Sequence, residues 1–296
     1  MVFKKMAVIG LLCLPSLACS ESHRFHFSTH RPDQGDVVIV SERDSLEPFS
    51  VTIGKTRYDS FLFRRHQTVL LGIDYQLPPG PHTVCAQFKI VTGTATFRYH
   101  LTVKERFPSL GYTIMSVPHP GRLPNVQDQI DHDQNVDRRS ARLADLHITK
   151  MGPFSWPVYP VVITSPFGDR RCRTYYHHHW MNCQYHLGDD YRAAFDPAHH
   201  KPIPLHAIQS GRVVLAVHHE LDGNVVFIDH GNGILSEYLH LSKMFVKKGM
   251  TVRSGQVIGI AGKTGEAAGI HLHFVIKMAH GSVLIDPQRF LKAMMK

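Results

Sequence analysis

Past its first twenty residues the chain has no apolar run long enough to cross a membrane. It also lacks any tight Lys/Arg run interleaved with aromatics, so no nucleic-acid partner is expected. Internal repeats and low-complexity segments are missing, which excludes solenoids and tract-driven disorder. Cysteine is scarce: of five, Cys13 and Cys19 fall within the first twenty residues, leaving Cys85, Cys172 and Cys183. Three thiols cannot make a disulfide-dense scaffold, so stability must come from a core. Charge is modest at 19% against 43% hydrophobic residues, and 296 residues suffice for two globular domains. Acid is the minority charge, 24 Asp+Glu against 33 Lys+Arg, and the net +9 favours an anionic partner such as a cell wall or lipid surface. Histidine is abundant, at 23.

Residues 1–20 read as an export signal. Lys4 and Lys5 form the charged start, Met6–Leu14 the apolar run, and Ser16, Ala18 and Ser20 the small residues of a cleavage site. Leu17-Ala18-Cys19 also fits a lipoprotein signal, with Ser16 where Leu is usual, so a lipid anchor at Cys19 stays open. The expected location is the periplasm or cell envelope, or the secreted medium. In such a compartment Cys172 and Cys183, which bracket a short loop, can form a disulfide. Cys85 lies in an alternating run and reads as a small buried hydrophobe.

Residues 33–105 alternate as strands at Val37–Val40, Phe49–Ile53, Phe61–Phe63, Thr68–Ile73, Thr83–Val91 and Thr94–Val103, separated by Gly54, Pro78-Pro79-Gly80-Pro81 and Gly93. That pattern predicts an Ig-like β-sandwich. Residues 106–152 are proline-punctuated and polar. Val126, Ile130, Leu143 and Leu146 at helical spacing predict a linker with a helix. Residues 153–292 are again β-rich, with strands at Gly211–Val217, Asn224–Asp229, Ile234–Leu239, Gln256–Ala261 and His271–Lys277.

Three short patterns in this last segment carry chemistry. In His186-Leu187-Gly188-Asp189-Asp190 an extended backbone puts 186, 188 and 190 on one face, and Gly188 leaves a gap between imidazole and carboxylate. In His271-Leu272-His273 both histidines share a face while Leu272 packs inward; one could be a ligand and the other stay free beside it. In Tyr238-Leu239-His240-Leu241 the same alternation puts Tyr238 with His240 and Leu239 with Leu241. Two histidines and one carboxylate leave a coordination position open, the layout of a catalytic rather than a structural zinc. Zinc activates water and polarises a carbonyl. A free histidine can move protons, and a second can stabilise an oxyanion.

Residues 163–291 resemble the lysostaphin-type (LytM-like) zinc metallopeptidase domain. The resemblance runs through Thr164–Arg170, His186/Gly188/Asp190, Ala207, Ser210–Val213, Val226–Gly231, Tyr238–Leu241, Gly255–Gly259, Gly262–Gly265, Gly269–Phe274 and Asp286-Pro287. It implies one Zn2+ per chain held by His186, Asp190 and His273, with His271 as general base and His240 stabilising the transition state. It also implies an open antiparallel β-sheet whose groove takes an extended peptide, and hydrolysis of peptide cross-links in bacterial peptidoglycan, with the peptide stems as partner. The insertion between Cys172 and Cys183, with His177-His178-His179 and Trp180, departs from the family pattern, as does the turn Lys201–Ala207. Some relatives of this type have lost ligands and serve as activators or scaffolds for cell-wall amidases; this chain keeps all three ligands and both histidines. The whole reads as a mainly β protein, an N-terminal Ig-like sandwich and a C-terminal metallopeptidase domain, with the oligomeric state unknown.

Overall fold

The computed structural model describes residues 25–42, 46–91, 93–107, 113–116, 146, 148, 150–174, 181–193 and 203–296. The export signal, Cys19, most of the expected linker helix, and the loop carrying His177–His179 and Trp180 lie outside the described residues.

Eight strands form the N-terminal half: β1 (Phe25–Phe27), β2 (Val37–Glu42), β3 (Phe49–Ile53), β4 (Thr56–Asp59), β5 (Phe61–Phe63), β6 (His66–Gly72), β7 (Gly80–Ile90) and β8 (Gly93–Val103). They make two four-stranded antiparallel sheets, β1-β2-β6-β5 and β4-β3-β7-β8. Period-two alternation buries Val38 and Val40 of one sheet against Val51, Ile53, Val84 and Ala86 of the other. Phe25 crosses between the sheets, with its ring 4.8 Å from that of Phe49 and 5.8 Å from that of Phe97. The first sheet thus begins at Phe25, ahead of the boundary expected at residue 33, because Phe25 and Phe27 are both buried. Cys85 is half-buried rather than in the core, since its neighbours Val84 and Ala86 take the inward face.

The expected linker contributes a strand, β9 (Thr113–Ser116). The C-terminal half continues with β10 (Ile163–Ser165), β11 (Arg170–Thr174), β12 (Met181–Tyr185), β13 (Asp189–Arg192), β14 (Pro204–His206), β15 (Gly211–His219), β16 (Gly223–Asp229) and β17 (Leu235–Leu241). Then come β18 (Lys243–Met244), β19 (Thr251–Val252), β20 (Val257–Ile260), β21 (His271–Met278), β22 (Val283–Ile285) and a helix, α1 (Pro287–Met295). The main sheet is antiparallel, in the order β10-β13-β21-β17-β16-β15-β19, with β22 also on β21. Two small sheets flank it, β12-β11-β9 and β14-β20-β18. The expected disulfide joins Cys172 and Cys183, which face each other across the β11–β12 pair.

Helix α1 occupies the chain end, where the sequence reading placed none. The Asp286 carboxylate accepts the Arg289 N–H, Pro287 opens the first turn, and Phe290, Leu291 and Met294 are buried. One apolar core runs through both halves, and a second cluster of Leu215, Val225, Phe227, Leu235, Leu239 and Val275 lies on the other face of the main sheet.

Candidate metal centre

Register sets the site. In the β13–β21 pair Asp190 stands directly opposite His273, so their side chains leave the sheet on the same face. On β21, Leu272 and Phe274 point to the large core while His271 and His273 point to the other face. His186 follows β12, and the chain bends at Gly188 before β13 begins. His186 and Asp190 therefore meet across a bend, not along one extended strand as alternation alone suggested. A Cβ at 188 would lie 2.8 Å from the His273 ring and 2.6 Å from the Phe274 carbonyl oxygen, so the close approach requires glycine.

The three groups converge tightly. Asp190 Oδ1 is 3.1 Å from His186 Nε2 and 2.9 Å from His273 Nδ1, and those two nitrogens are 2.9 Å apart. Among the described residues this is the one His/Cys/Asp/Glu cluster whose ligand atoms all lie within 4.8 Å of one another. His186 Nδ1 donates to the Pro166 carbonyl at 3.1 Å, which leaves Nε2 bare and directed at the cluster. Burial alone would raise the Asp190 pKa, but with the His186 and His273 imidazoles at 3.1 and 2.9 Å it lies well below the usual carboxylate range. Burial pushes the His273 pKa down. A carboxylate and two neutral imidazoles in a compact, buried N,N,O set fit a single Zn2+ with an open position.

His271 and His240 sit beside this cluster without completing it. His271 Nε2 is 3.7 Å from Asp190 Oδ1, and its Nδ1 donates to the Gly269 carbonyl at 2.9 Å. The His240 ring is 4.9 Å from that of His271 and 6.1 Å from that of His273. It arrives there by breaking alternation. Tyr238 packs in the large core with its hydroxyl on Ile208 N–H, and Leu241 is buried there too, while Leu239 belongs to the opposite cluster. So Tyr238 does not share a face with His240, nor Leu239 with Leu241. His240 has φ 64°, a left-handed conformation that swings its side chain to the metal face. Its N–H donates to the Asp222 carbonyl and its Nδ1 to the Thr264 carbonyl, both at 2.9 Å. The Thr264 hydroxyl donates to Leu241 O at 2.8 Å and accepts from Asn224 N–H, fixing the turn that holds the ring. Burial, then His273 and His271, push the His240 pKa down to about 4.

Two contacts escaped the sequence reading. Arg171 reaches Asp190 Oδ2, and Ser165 links Arg171 to Asp169. Only the register fixed by the paired cysteines next to Arg171 could have hinted at its direction. His230, by contrast, is structural: fully buried, between Ser210 O and the Ser236 hydroxyl.

An open antiparallel sheet carrying a two-histidine, one-carboxylate centre with two further histidines beside it defines a hydrolytic type of metal site. A family model, Peptidase family M23, matches residues 185–287, a segment with a lysostaphin/LytM-like fold. The chain is 48% identical over 71 residues to the peptidoglycan DD-endopeptidase ShyA of Vibrio cholerae, which covers 24% of this chain and 16% of ShyA. It is 36% identical over 118 residues to the DD-carboxypeptidase/endopeptidase Mpg of Neisseria meningitidis, covering 40% of this chain and 25% of Mpg. The chain thus aligns with a quarter or less of the length of these relatives. A crystal structure from Pseudomonas aeruginosa, described as a candidate peptidase M23, shares the fold with a TM-score of 0.58 at 22% identity, covering 88% of this chain and 96% of that one.

Proposed function

We propose that the protein is a zinc-dependent endopeptidase that hydrolyses peptide cross-links in bacterial peptidoglycan. The observation that carries this reading is the convergence of His186, Asp190 and His273 with two further histidines within ring-contact distance. His186 Nε2, Asp190 Oδ1 and His273 Nδ1 would hold the metal. Bound there, zinc supplies Lewis-acid activation of water and of the scissile carbonyl. His271, with its Nδ1–H committed to Gly269, offers a bare Nε2 that takes the proton of the attacking water and returns it to the leaving amine. His240 stabilises the transition state. Its Nδ1–H is committed to Thr264, and its ring stands 4.9 Å from that of His271 on the same side of the cluster.

The relatives named as peptidoglycan endopeptidases support the substrate class. The same relatives support an extracytoplasmic site of action, in the periplasm, in the envelope through a lipid on Cys19, or secreted. No helix among the described residues is long and apolar enough to cross a membrane. The amidase-activator reading is disfavoured by an intact ligand set and by both extra histidines. The deciding experiment is digestion of purified peptidoglycan with mass spectrometry of the released fragments. Muropeptides cleaved at their cross-links, lost on adding a chelator and restored by zinc, are expected. Intact cross-links under zinc-replete conditions would overturn the reading.

A further inference from the structure

The two oxygens of Asp190 have different partners. Oδ1 faces the two histidine nitrogens, at 3.1 and 2.9 Å. Oδ2 meets the Arg171 guanidinium at 2.5 Å, and the same Arg171 nitrogen lies 2.7 Å from Ser165 Oγ. The Ser165 hydroxyl in turn donates to Asp169 Oδ2 at 2.8 Å. Arg171 is therefore anchored on the side away from the metal cluster and is not a loose surface cation; its side chain is 24% exposed.

Its backbone is equally constrained. Arg171 lies on β11, paired on one side with β12 at Gln184 and on the other with β9 at Thr113. The next residue, Cys172, is fully buried and disulfide-bonded to its cross-strand partner Cys183. A rigid three-stranded ribbon, separate from the main sheet, thus presents one guanidinium to a ligand carboxylate that the main sheet supplies.

We propose that Arg171 is a positioning residue for the metal ligand Asp190, an inference that rests on the metal reading above. By occupying Oδ2 it turns the carboxylate so that Oδ1 alone is offered. A carboxylate can ligate through one oxygen or two, and the second mode would use the coordination position that a hydrolytic site needs to keep open. The guanidinium also neutralises the charge left on the unused oxygen, which a neutral hydrogen-bond donor would do less well. Ser165, itself bonded to Asp169, gives the guanidinium a second partner beside Oδ2.

The test uses the full exported chain, stripped of metal and reloaded. Zinc affinity is measured by competition with a chromophoric chelator, and ligand number by the visible absorption of the Co(II)-loaded protein. Both readouts are independent of hydrolysis. In Arg171→Met, zinc should bind roughly 10–100-fold more weakly, the usual loss when an outer partner of a ligand is removed. Its Co(II) bands should weaken as Asp190 becomes free to add its second oxygen. A folded Arg171→Met with zinc affinity within about twofold of wild type and an unchanged Co(II) spectrum would overturn the inference. If Arg171→Met does not fold, Arg171→Gln is judged by the same two criteria. A wild-type chain that binds no zinc would overturn the metal reading and this inference together. A zinc-binding wild type with indifferent variants overturns this inference alone.

Discussion

Asp189 is buried, accepts the Phe167 N–H and the Tyr191 hydroxyl, and has its pKa pushed up to about 7 by burial and then by Asp286. Asp190, one residue on, leaves the opposite face of the strand and faces two imidazoles. Strand alternation thus separates a structural carboxylate from a ligand within one dipeptide. The same separation underlies the roles assigned to the histidines. His273→Ala should lose zinc and activity together, whereas His271→Ala and His240→Ala should keep most of their zinc and lose at least ~10²-fold in rate. Metal analysis of each purified variant beside its rate checks this, and loss of zinc in His271→Ala would move that residue into the ligand set. His230 bears on stability instead. Burial pushes its pKa down to about 4, below the roughly 6.5 of an unfolded chain. The unfolded state therefore binds the proton more readily, and the contribution of neutral His230 is complete above about pH 6.5 and lost as pH falls toward 4. The loss amounts to about 2–3 kcal/mol by pH 4.5. Urea denaturation at pH 7 and 4.5 should show a smaller drop in His230→Gln than in wild type by about that amount; equal drops would refute the assignment.

Alternation carried the sequence reading a long way at the level of elements and failed where the backbone left the regular strand. It places His271 and His273 together with Leu272 inside, as found, because β21 is regular through that stretch. It misplaces His240 because one left-handed residue flips the pattern, and nothing in the residue type announces it when the residue is not glycine. Strand β9 depends on pairing with β11 far along the chain, which no local pattern encodes. Strand β4, Thr56–Asp59, carries one buried apolar residue, Tyr58, too few to read as alternation. Helix α1 was legible in principle, since Asp286-Pro287 is a cap followed by a first-turn proline, but its short apolar spacing resembles the end of a strand. The Cys172–Cys183 pair was read correctly from spacing and compartment. Closing an 11-residue separation should contribute about 3 kcal/mol, so a Cys172→Ser/Cys183→Ser variant should lose about that much stability and unfold at lower urea. An unchanged midpoint would mean that the pairing of β11 with β9 and β12 alone holds the ribbon.

Across the whole molecule, contacts between the halves cluster on β22 and α1. Leu284 N–H donates to Asp74, Asp286 N–H donates to Gly35 O, and Asp286 also pairs with Arg106 at 2.5 Å. Arg289 on α1 reaches both Asp33 and Asp36, and Arg64 donates to the Met294 carbonyl. The strand carrying His271 and His273 pairs with β22, so the sandwich braces the strand that supplies half the site. The apolar core is continuous across this seam. Gly72, at the end of β6, is where the seam is tightest: a Cβ there would lie 2.9 Å from Val283 Cγ1, 3.0 Å from Met278 Sδ and 3.4 Å from Ile285 Cγ2. A core continuous across the seam couples the unfolding of the two halves. Calorimetry of the wild type should therefore give a single transition, coincident with loss of β-sheet circular dichroism. Gly72→Val would wedge β22 away from β6, at a cost of about 1–3 kcal/mol for overpacking a filled seam. The melting temperature should fall by several degrees, and the transition should split as the sandwich and the metal domain lose their common boundary. Two resolved transitions already present in the wild type, unaffected by Gly72→Val, would mean that the halves fold independently and that the seam adds no stability.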